Sequence, residues 1–341
     1  MDLMKAKNSL ESNSLGFSKL RMFLWPIKNS ELPTVVPMVI LFFLVSFIYN
    51  LLKSIKTTLV ATQTVSGVSI IPYIKTWLQL PASILITSLF LYLANKYRKE
   101  QVFVMILSFF IVFFIFFIFV LYPNRNVIEL VGVSDKLLNW LPAGMAPIAS
   151  IVRNWYYALF YVVAELWSNI VLSMLFWGFV NEITSINEAK RFYAIFALGS
   201  NCSGIFAGIV GKLDNATSKS QSGDMNLYYL MLLIVGCSIA IIIIFSILSN
   251  YLANKIKTDK VELPGKSKIK NKTKISLLNS MELLFTSRYL LSIVLIVLSY
   301  NMVYHLTENL WLESIRIRHP KSIDFKLYLD NTQIIISILS V

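Results

Sequence analysis

Ionisable side chains inside strongly apolar stretches are the residues of this sequence that are best suited to chemistry. Lys75 lies in IIPYIKTWLQLP, and Glu165 lies near the middle of RNWYYALFYVVAELWSNIVLSMLFWGFV. His305 and Glu308 are three residues apart, which places them on one face of a helix. Because an ionisable group in the middle of a membrane costs at least about 2.5–3.5 kcal/mol, such groups are kept mainly where they face a watery cavity or a partner. We interpret these residues as candidates for binding a charged solute.

A row of polar residues lies toward the outer end of the first apolar segment. Tyr49, Asn50, Lys53 and Lys56 recur at spacings of three and four residues, so they share one helix face. Lys53 and Lys56 can therefore add positive charge to an anion site. For Lys56 the sequence leaves an equal alternative, in which its long side chain extends outward to the lipid surface.

The fourth apolar segment carries Arg153 in addition to Glu165. Arg153 precedes Glu165 by twelve residues, or about 18 Å of helix, so we expect the two at different depths rather than as a pair. An ion pair of Glu165 elsewhere in the bundle remains open. His305 has two alternative roles, an interhelical hydrogen bond or a proton relay. Glu308 is within one turn of the outer end of its segment, so a solvated position is its alternative.

No pattern in the sequence points to catalysis or to a bound cofactor. There is no Gly-rich phosphate loop, no H-E-x-x-H and no nucleophile elbow, and the sequence has only two His and two Cys. We therefore predict a protein that is not an enzyme and that has no cofactor, metal ion or catalytic residue. The residues predicted to bind substrate are Lys75, Glu165, Glu308, Lys53, Lys56, Arg153 and Asn169.

The composition indicates which kind of element positions these residues. The chain has 341 residues, of which 56% are apolar and 14% are charged, whereas a soluble domain is about 25% charged. With 23 Phe, 16 Tyr and 7 Trp, a soluble fold would expose more apolar surface than it could hide. We predict an integral, all-α membrane protein. The net charge of +13 does not indicate nucleic-acid binding, because the Lys and Arg residues lie mostly between apolar segments.

A succession of apolar segments predicts the membrane helices, since about 20 apolar residues cross a bilayer. Seven segments are long enough, at about 32–53, 69–95, 102–122, 147–180, 191–212, 227–253 and 289–311. An eighth, at 327–341, has 15 residues and is about 22 Å long as a helix, which is too short to cross unaided.

The distribution of positive charge predicts the orientation. With the N-terminus inside, 19 of the 31 Lys and Arg residues lie in inner segments and eight lie in outer ones. The Lys-rich stretch after the sixth helix is either a hinge between two halves or an anchor for anionic lipid, and both can hold. The predicted division is a cytoplasmic basic arm at 1–31, a six-helix transmembrane half at 32–253, a cytoplasmic linker at 254–286 and the start of a second transmembrane half at 287–341.

Six blocks of sequence resemble one family in their order and spacing. They are LRMFLWPI at 20–27, NLLKSIKTTLVAT at 50–62, IIPYIKTWLQLP at 70–81, FYVVAELWSNIVLSMLFWGFVNEIT at 160–184, EAKRFYAIFALGSN at 188–201 and ENLW at 308–311. The chain resembles the ATP/ADP translocases, or nucleotide transporters, of obligate intracellular bacteria and plastids.

This resemblance implies a fold like that of the major facilitator transporters, with two halves around a site that opens alternately to each side. The chain would supply the six-helix first half, helix 7 and the start of helix 8, and would be truncated at its C-terminus. The essential residues of the family fall on Lys75, Glu165 and Glu308. A further basic residue of the family lies beyond Val341, and the family's usual Lys after the Trp of helix 7 is Leu312 here.

The function implied is ATP/ADP exchange across the bacterial inner membrane, with nucleotide and membrane lipid as partners and without nucleic acid or an inferred protein partner. The alternatives are import of another nucleotide or organic anion, possible proton coupling, and a remnant that does not transport. Our hypothesis is that Glu165 or Glu308 compensates Lys75 in the empty protein and that phosphate displaces this carboxylate. Exchange would then be obligatory, because the unloaded site switches sides slowly.

Overall fold

The computed structural model describes residues 27, 29, 31–184, 186–218, 224–262 and 286–340, and all regular structure in these residues is helical. Seven of the helices in this part of the chain are long and apolar enough to cross a membrane. The prediction of an all-α membrane protein is confirmed. We label the spans α1 Leu32–Gln63, α2 Gly67–Lys96, α3 Lys99–Leu121, α4 Trp155–Ile183, α5 Arg191–Leu213, α6 Leu227–Asn254 and α7 Arg288–Arg318.

Two of the helices extend beyond their spans, and one further helix corresponds to the predicted eighth segment. The helix that contains α5 runs over Ile186–Ser218, and the helix that contains α6 runs over Asp224–Glu262, into the stretch predicted as a linker. The rest of that linker, at 263–285, and nearly all of the predicted arm at 1–31 lie outside the described residues. The predicted eighth segment is the helix α8, Ser322–Leu339, which begins five residues earlier than expected.

Helices α1 and α7 extend farther than their apolar segments. α1 continues to Gln63, so Lys53 and Lys56 lie inside the helix and not at its outer end. α7 continues to Arg318, so Glu308 is ten residues from the end of its helix. The hydropathy of the sequence falls at these polar residues, so the apolar segments at 32–53 and 289–311 predict C-terminal helix ends that are too early. The helices continue because the polar side chains find partners within the bundle.

The predicted fourth segment is divided at Asn154. The residues before it form a separate short helix, Ala146–Arg153, and α4 begins at Trp155. The backbone of Asn154 leaves helical geometry, with φ −108° and ψ 43°, and its side chain donates to the Tyr156 hydroxyl at 3.2 Å. Arg153 therefore lies outside the span, in the connection between α3 and α4. This connection also contains the helices Arg125–Ile128 and Val131–Trp140.

Three spans contain π-helical segments, which are wider than the α-helix and occur frequently at functional sites. They lie at Ile74–Gln79 in α2, Phe117–Leu121 in α3 and Ser168–Phe176 in α4. Pro72 and Pro81 flank the first of them, and each lacks the backbone N–H that an α-helix needs. Lys75 lies in the α2 segment.

Helix α1 is the centre of the packing, with α4, α5, α6 and α8 against it. Trp167 of α4 is fully buried and donates its indole N–H to the Val45 carbonyl of α1 at 3.2 Å. Phe110 of α3 packs edge-on against the same indole, with ring centroids 5.3 Å apart. These contacts hold α4 at a fixed depth beside α1, which matters because both helices carry site residues.

Helix α7 is held mainly through its C-terminal half. Its buried residues are Leu312 and Ile315. Farther along, the guanidinium of Arg316 occupies the position that a β-carbon on Gly67 would take. Gly67 has φ +56° at the turn between α1 and α2, a conformation that glycine adopts without strain. Its lack of a side chain also leaves room for the Arg316 guanidinium. The end of α7 is thereby joined to the α1–α2 turn.

Candidate functional site

Lys56 and Glu165 form an ion pair between α1 and α4. Lys56 is only 4% exposed, and its ammonium lies 4.8 Å from the ring centre of Tyr161, a cation–π distance. The alternative that Lys56 reaches the lipid surface is therefore wrong. For Glu165, the sequence left open an ion pair within the bundle, and the structure shows this pair.

Lys75 is paired with α7. Its Nζ lies 3.2 Å from Glu308 Oε2 and 2.9 Å from His305 Nδ1. Because a lysine ammonium only donates, His305 accepts through Nδ1 and carries its proton on Nε2 in this arrangement. Of the two carboxylates considered as partners of Lys75, Glu308 occupies that position. His305 forms an interhelical hydrogen bond, one of the two roles considered for it.

Lys53 is the third lysine of this group. It lies near Tyr49 and Glu308 and is close enough to Tyr304 to share a hydrogen bond with it. Among the described residues, no carboxylate lies within ion-pair distance of Lys53. Lys56 is in turn within electrostatic range of both Lys75 and Lys53. The three lysines thus form one cluster, in which Glu165 and Glu308 neutralise two of the three charges.

A cavity of about 360 Å³ opens beside this lysine cluster, between α1, α7 and α8. Its lining combines charged and amide groups with hydroxyl and aromatic groups. It includes Asn50, Lys53, Thr57, Tyr304, Glu308 and Gln333. A cavity with an unneutralised lysine in its wall and several hydrogen-bonding groups can bind a polar anion.

Arg153 and Asn169 do not join the cluster. Arg153 pairs with Glu129 at 2.6 Å, and this hydrogen bond holds the pKa of the guanidinium above its usual value. Asn169 is exposed, and in the described part of the chain no hydrogen bond joins it to Glu165. Asn169 is the second residue of the π-helical segment Ser168–Phe176 of α4.

A buried ion pair on α8 was missed by the sequence analysis. Lys326 and Asp330 are 3.0 Å apart, and Asp330 also accepts a hydrogen bond from Ser54 of α1 at 2.7 Å. Lys326 donates to the Gly211 carbonyl of α5 at 3.2 Å. The apolar segment predicted at 327–341 begins one residue after Lys326, so the hydropathy pattern leaves Lys326 in the preceding loop. The spacing of four residues between Lys326 and Asp330 was the available signal for a helix.

Comparison with known proteins identifies the family. The model of the TLC ATP/ADP transporter family matches residues 10–341. The chain belongs to this family. ADP,ATP carrier protein 1 of Chlamydia trachomatis serovar D is 36% identical over 332 residues, which cover 95% of this chain and 62% of the relative. ADP,ATP carrier protein 1, chloroplastic, of Arabidopsis thaliana is 34% identical over 310 residues, covering 89% of this chain and 48% of the relative.

This TLC transporter chain therefore spans less than two thirds of the length of these relatives. No solved structure matches it. The resemblance drawn from the six sequence blocks is confirmed at the level of the family. The lysine cluster and its two glutamates are thus features of a TLC ATP/ADP transporter.

Proposed function

We propose that the protein transports nucleotides, exchanging ATP for ADP across the bacterial inner membrane by alternating access. The observation that supports this most is the convergence of Lys53, Lys56 and Lys75 beside one cavity, with two carboxylates to neutralise them. ATP and ADP carry about four and three negative charges, and charge-assisted hydrogen bonds to phosphate are among the stronger ones. The names of the relatives agree with this substrate pair.

The ion pairs suggest how binding leads to transport. Lys75 and Glu308 join α2 to α7, and Lys56 and Glu165 join α1 to α4. A phosphate group that takes over Lys75 releases Glu308, and this removes one link between α2 and α7. Without a nucleotide this link re-forms, and both links then hold the helices together. The empty protein then changes sides slowly, so that entry of one nucleotide requires exit of another.

The proposed orientation has the N-terminus in the cytoplasm. Two ion pairs each join helix ends that this orientation places on the cytoplasmic side of the membrane. Arg191, at the start of α5, donates to both carboxylate oxygens of Glu31 at 3.1 and 2.8 Å, beside the start of α1. Lys99, at the start of α3, pairs with Glu182 near the end of α4. We propose that the arm at 1–31 and the linker at 254–286 lie on this side, facing anionic lipid, with a six-helix half between them.

Uptake by cells tests the proposed function. Cells that produce the chain should take up radiolabelled ATP, and excess unlabelled ADP should inhibit this uptake. Cells preloaded with label should release it only when nucleotide is present outside. A stable, membrane-inserted product without uptake would contradict the proposal. If a non-adenine nucleotide or another organic anion inhibits uptake more strongly than ADP does, that compound would replace ATP and ADP as the proposed substrate.

A further inference from the structure

The cavity between α1, α7 and α8 has two carboxamide side chains in its wall in addition to its charged groups. Asn50 lies one turn before Lys53 on α1, and Gln333 lies on α8. The proposed transport gives neither of them a role, since phosphate is bound by the lysines. Their carboxamides are therefore available to the uncharged part of a ligand.

Ser203 of α5 fixes the orientation of the Asn50 amide. Ser203 is fully buried, and its hydroxyl donates its single hydrogen to the Ser200 carbonyl at 2.6 Å. The Ser203 oxygen can then only accept, and Asn50 Nδ2 donates to it at 3.2 Å. If the Asn50 amide were reversed, its Oδ1 would face the Ser203 oxygen, and both atoms would be acceptors without a hydrogen between them. The Oδ1 atom of Asn50 is therefore the end turned away from Ser203, and no described residue donates a hydrogen bond to it.

The nitrogen of the Gln333 amide also faces α5, the helix that carries Ser203. Its Nε2 donates to the Ser337 hydroxyl, one turn along α8, at 3.2 Å. Gly204 of α5 leaves room for this group, because a β-carbon there would lie 2.8 Å from Gln333 Nε2. Gly204 directly follows Ser203, so both amides place their nitrogen against one turn of α5. Their oxygen atoms are hydrogen-bond acceptors for a ligand in the cavity.

We propose that this end of the cavity recognises a nucleobase by its exocyclic amino group, with Asn50 Oδ1 as the principal acceptor. The inference rests on the proposed nucleotide transport. The amino group of adenine or cytosine donates to a carbonyl oxygen. The carbonyl group of hypoxanthine or uracil at the same position would face a second acceptor without a hydrogen between them. Tyr304 lines the same cavity and offers a ring on which a base can stack.

A series of three nucleotides tests this assignment on the unmodified 341-residue chain in lipid nanodiscs. The competitors of radiolabelled ATP are unlabelled ATP, ITP, which has a carbonyl in place of the amino group, and purine riboside triphosphate, which lacks that group. We expect purine riboside triphosphate to bind about three- to tenfold more weakly than ATP, and ITP at least about tenfold more weakly. All three share the same ribose and phosphates, so an acceptor that serves the ribose hydroxyls would give equal affinities.

Variants then assign the discrimination to Asn50. Asn50→Leu should bring the ATP and ITP affinities to within about twofold of each other, because it removes the acceptor. Asn169→Leu makes the same change at an exposed asparagine outside the lysine cluster. It is the matched control and should keep the wild-type ratio of ATP to ITP affinity. Ser203→Ala removes the hydrogen bond that orients the Asn50 amide but keeps the amide itself. It should lower the ratio of ATP to ITP affinity in part.

The outcomes separate this inference from the proposed function. Equal binding of ATP and ITP by the wild-type chain would overturn the inference and leave nucleotide transport standing. An unchanged ratio in Asn50→Leu would do the same. Failure of the wild-type chain to bind any of the three nucleotides would overturn both. If Asn50→Leu does not insert, the wild-type series and Ser203→Ala decide the question.

Discussion

Lys56 on α1 and Glu165 on α4 form an ion pair inside the helix bundle, with the lysine 4% exposed. The Lys56 ammonium depends on the Glu165 carboxylate, because a charge this deeply buried has no access to water. The pair also lies within electrostatic range of Lys75 and of Lys53, which lines the cavity, so we expect its stability and its function to be coupled.

Removal of one partner should therefore be costly. We expect Glu165→Gln to lower the free energy of unfolding by about 3–5 kcal/mol, because Lys56 is left charged and buried. Chemical denaturation of the purified protein would measure this. The control is Glu182→Gln, whose partner Lys99 is 52% exposed, and which should change stability by less than about 1 kcal/mol. Equal effects of the two substitutions would contradict the burial argument.

Removal of both partners separates stability from transport. The double variant Lys56→Met with Glu165→Leu replaces the pair by apolar groups, so most of the stability lost in Glu165→Gln should return. Counter-exchange of labelled ADP should not return, since one of the three clustered lysines and the ionic link between α1 and α4 are both gone. Recovery of exchange along with stability would show that the pair is only structural.

Lys75→Gln should weaken nucleotide binding. The substitution removes a cation that is placed 3.2 Å from Glu308 and leaves that carboxylate without its partner. Loss of charge-assisted hydrogen bonds to phosphate should weaken ATP binding by about 10- to 100-fold, as measured by competition with labelled ATP. Arg153→Gln is the comparison, because Arg153 is paired with Glu129 away from the cavity, and its affinity for ATP should stay at the wild-type value. A loss in Arg153→Gln as large as that in Lys75→Gln would contradict the site.

Trp167→Phe tests the contact that sets the depth of α4. The substitution removes the hydrogen bond to the Val45 carbonyl in a fully buried position, so we expect a loss of about 1–3 kcal/mol in unfolding free energy. Trp140→Phe changes the same side chain where it is 89% exposed and should leave stability almost unaltered. Thermal unfolding followed by circular dichroism compares the two, and a stable Trp167→Phe protein would argue against the hydrogen bond.

Gly67→Ala should destabilise the α1–α2 turn. Alanine at φ +56° is strained, and its β-carbon would collide with the Arg316 guanidinium, so a loss of about 1–3 kcal/mol is expected. Gly132→Ala is the opposite case, since Gly132 lies in a helix with open space around it, and alanine should stabilise that helix by up to about 1 kcal/mol. The sign of the two changes in melting temperature checks this directly.

The sequence was most informative where one physical cost dominated. The cost of a charge within an apolar stretch pointed to Lys75, Glu165 and Glu308, and the structure gives all three an ion-pair partner inside the bundle. The length of the apolar segments likewise predicted the spans. Both inferences use only local sequence, since membrane depth follows from position along a helix.

The sequence could not supply the partners or the exact winding of the helices. Lys56 meets Glu165 across 109 residues of chain, and only the packing of α1 on α4 brings them together. The helical continuation of α1 past Lys56 depends on that same pairing. Asn169 lies in the π-helical segment Ser168–Phe176 of α4, and the apolar sequence there carries no clear mark of this winding.

The π-helical segments at Ile74–Gln79 and Ser168–Phe176 give α2 and α4 a means of rotation. Successive residues of an α-helix are about 100° apart, and a π-bulge accommodates one additional residue. Rewinding such a bulge as α-helix turns one part of the rod by about that angle relative to the other. Lys75 lies within one bulge, and Glu165 lies three residues before the other. Such a rewinding would therefore re-aim the side chains of Lys75 and Glu165 toward different neighbours without unfolding either helix.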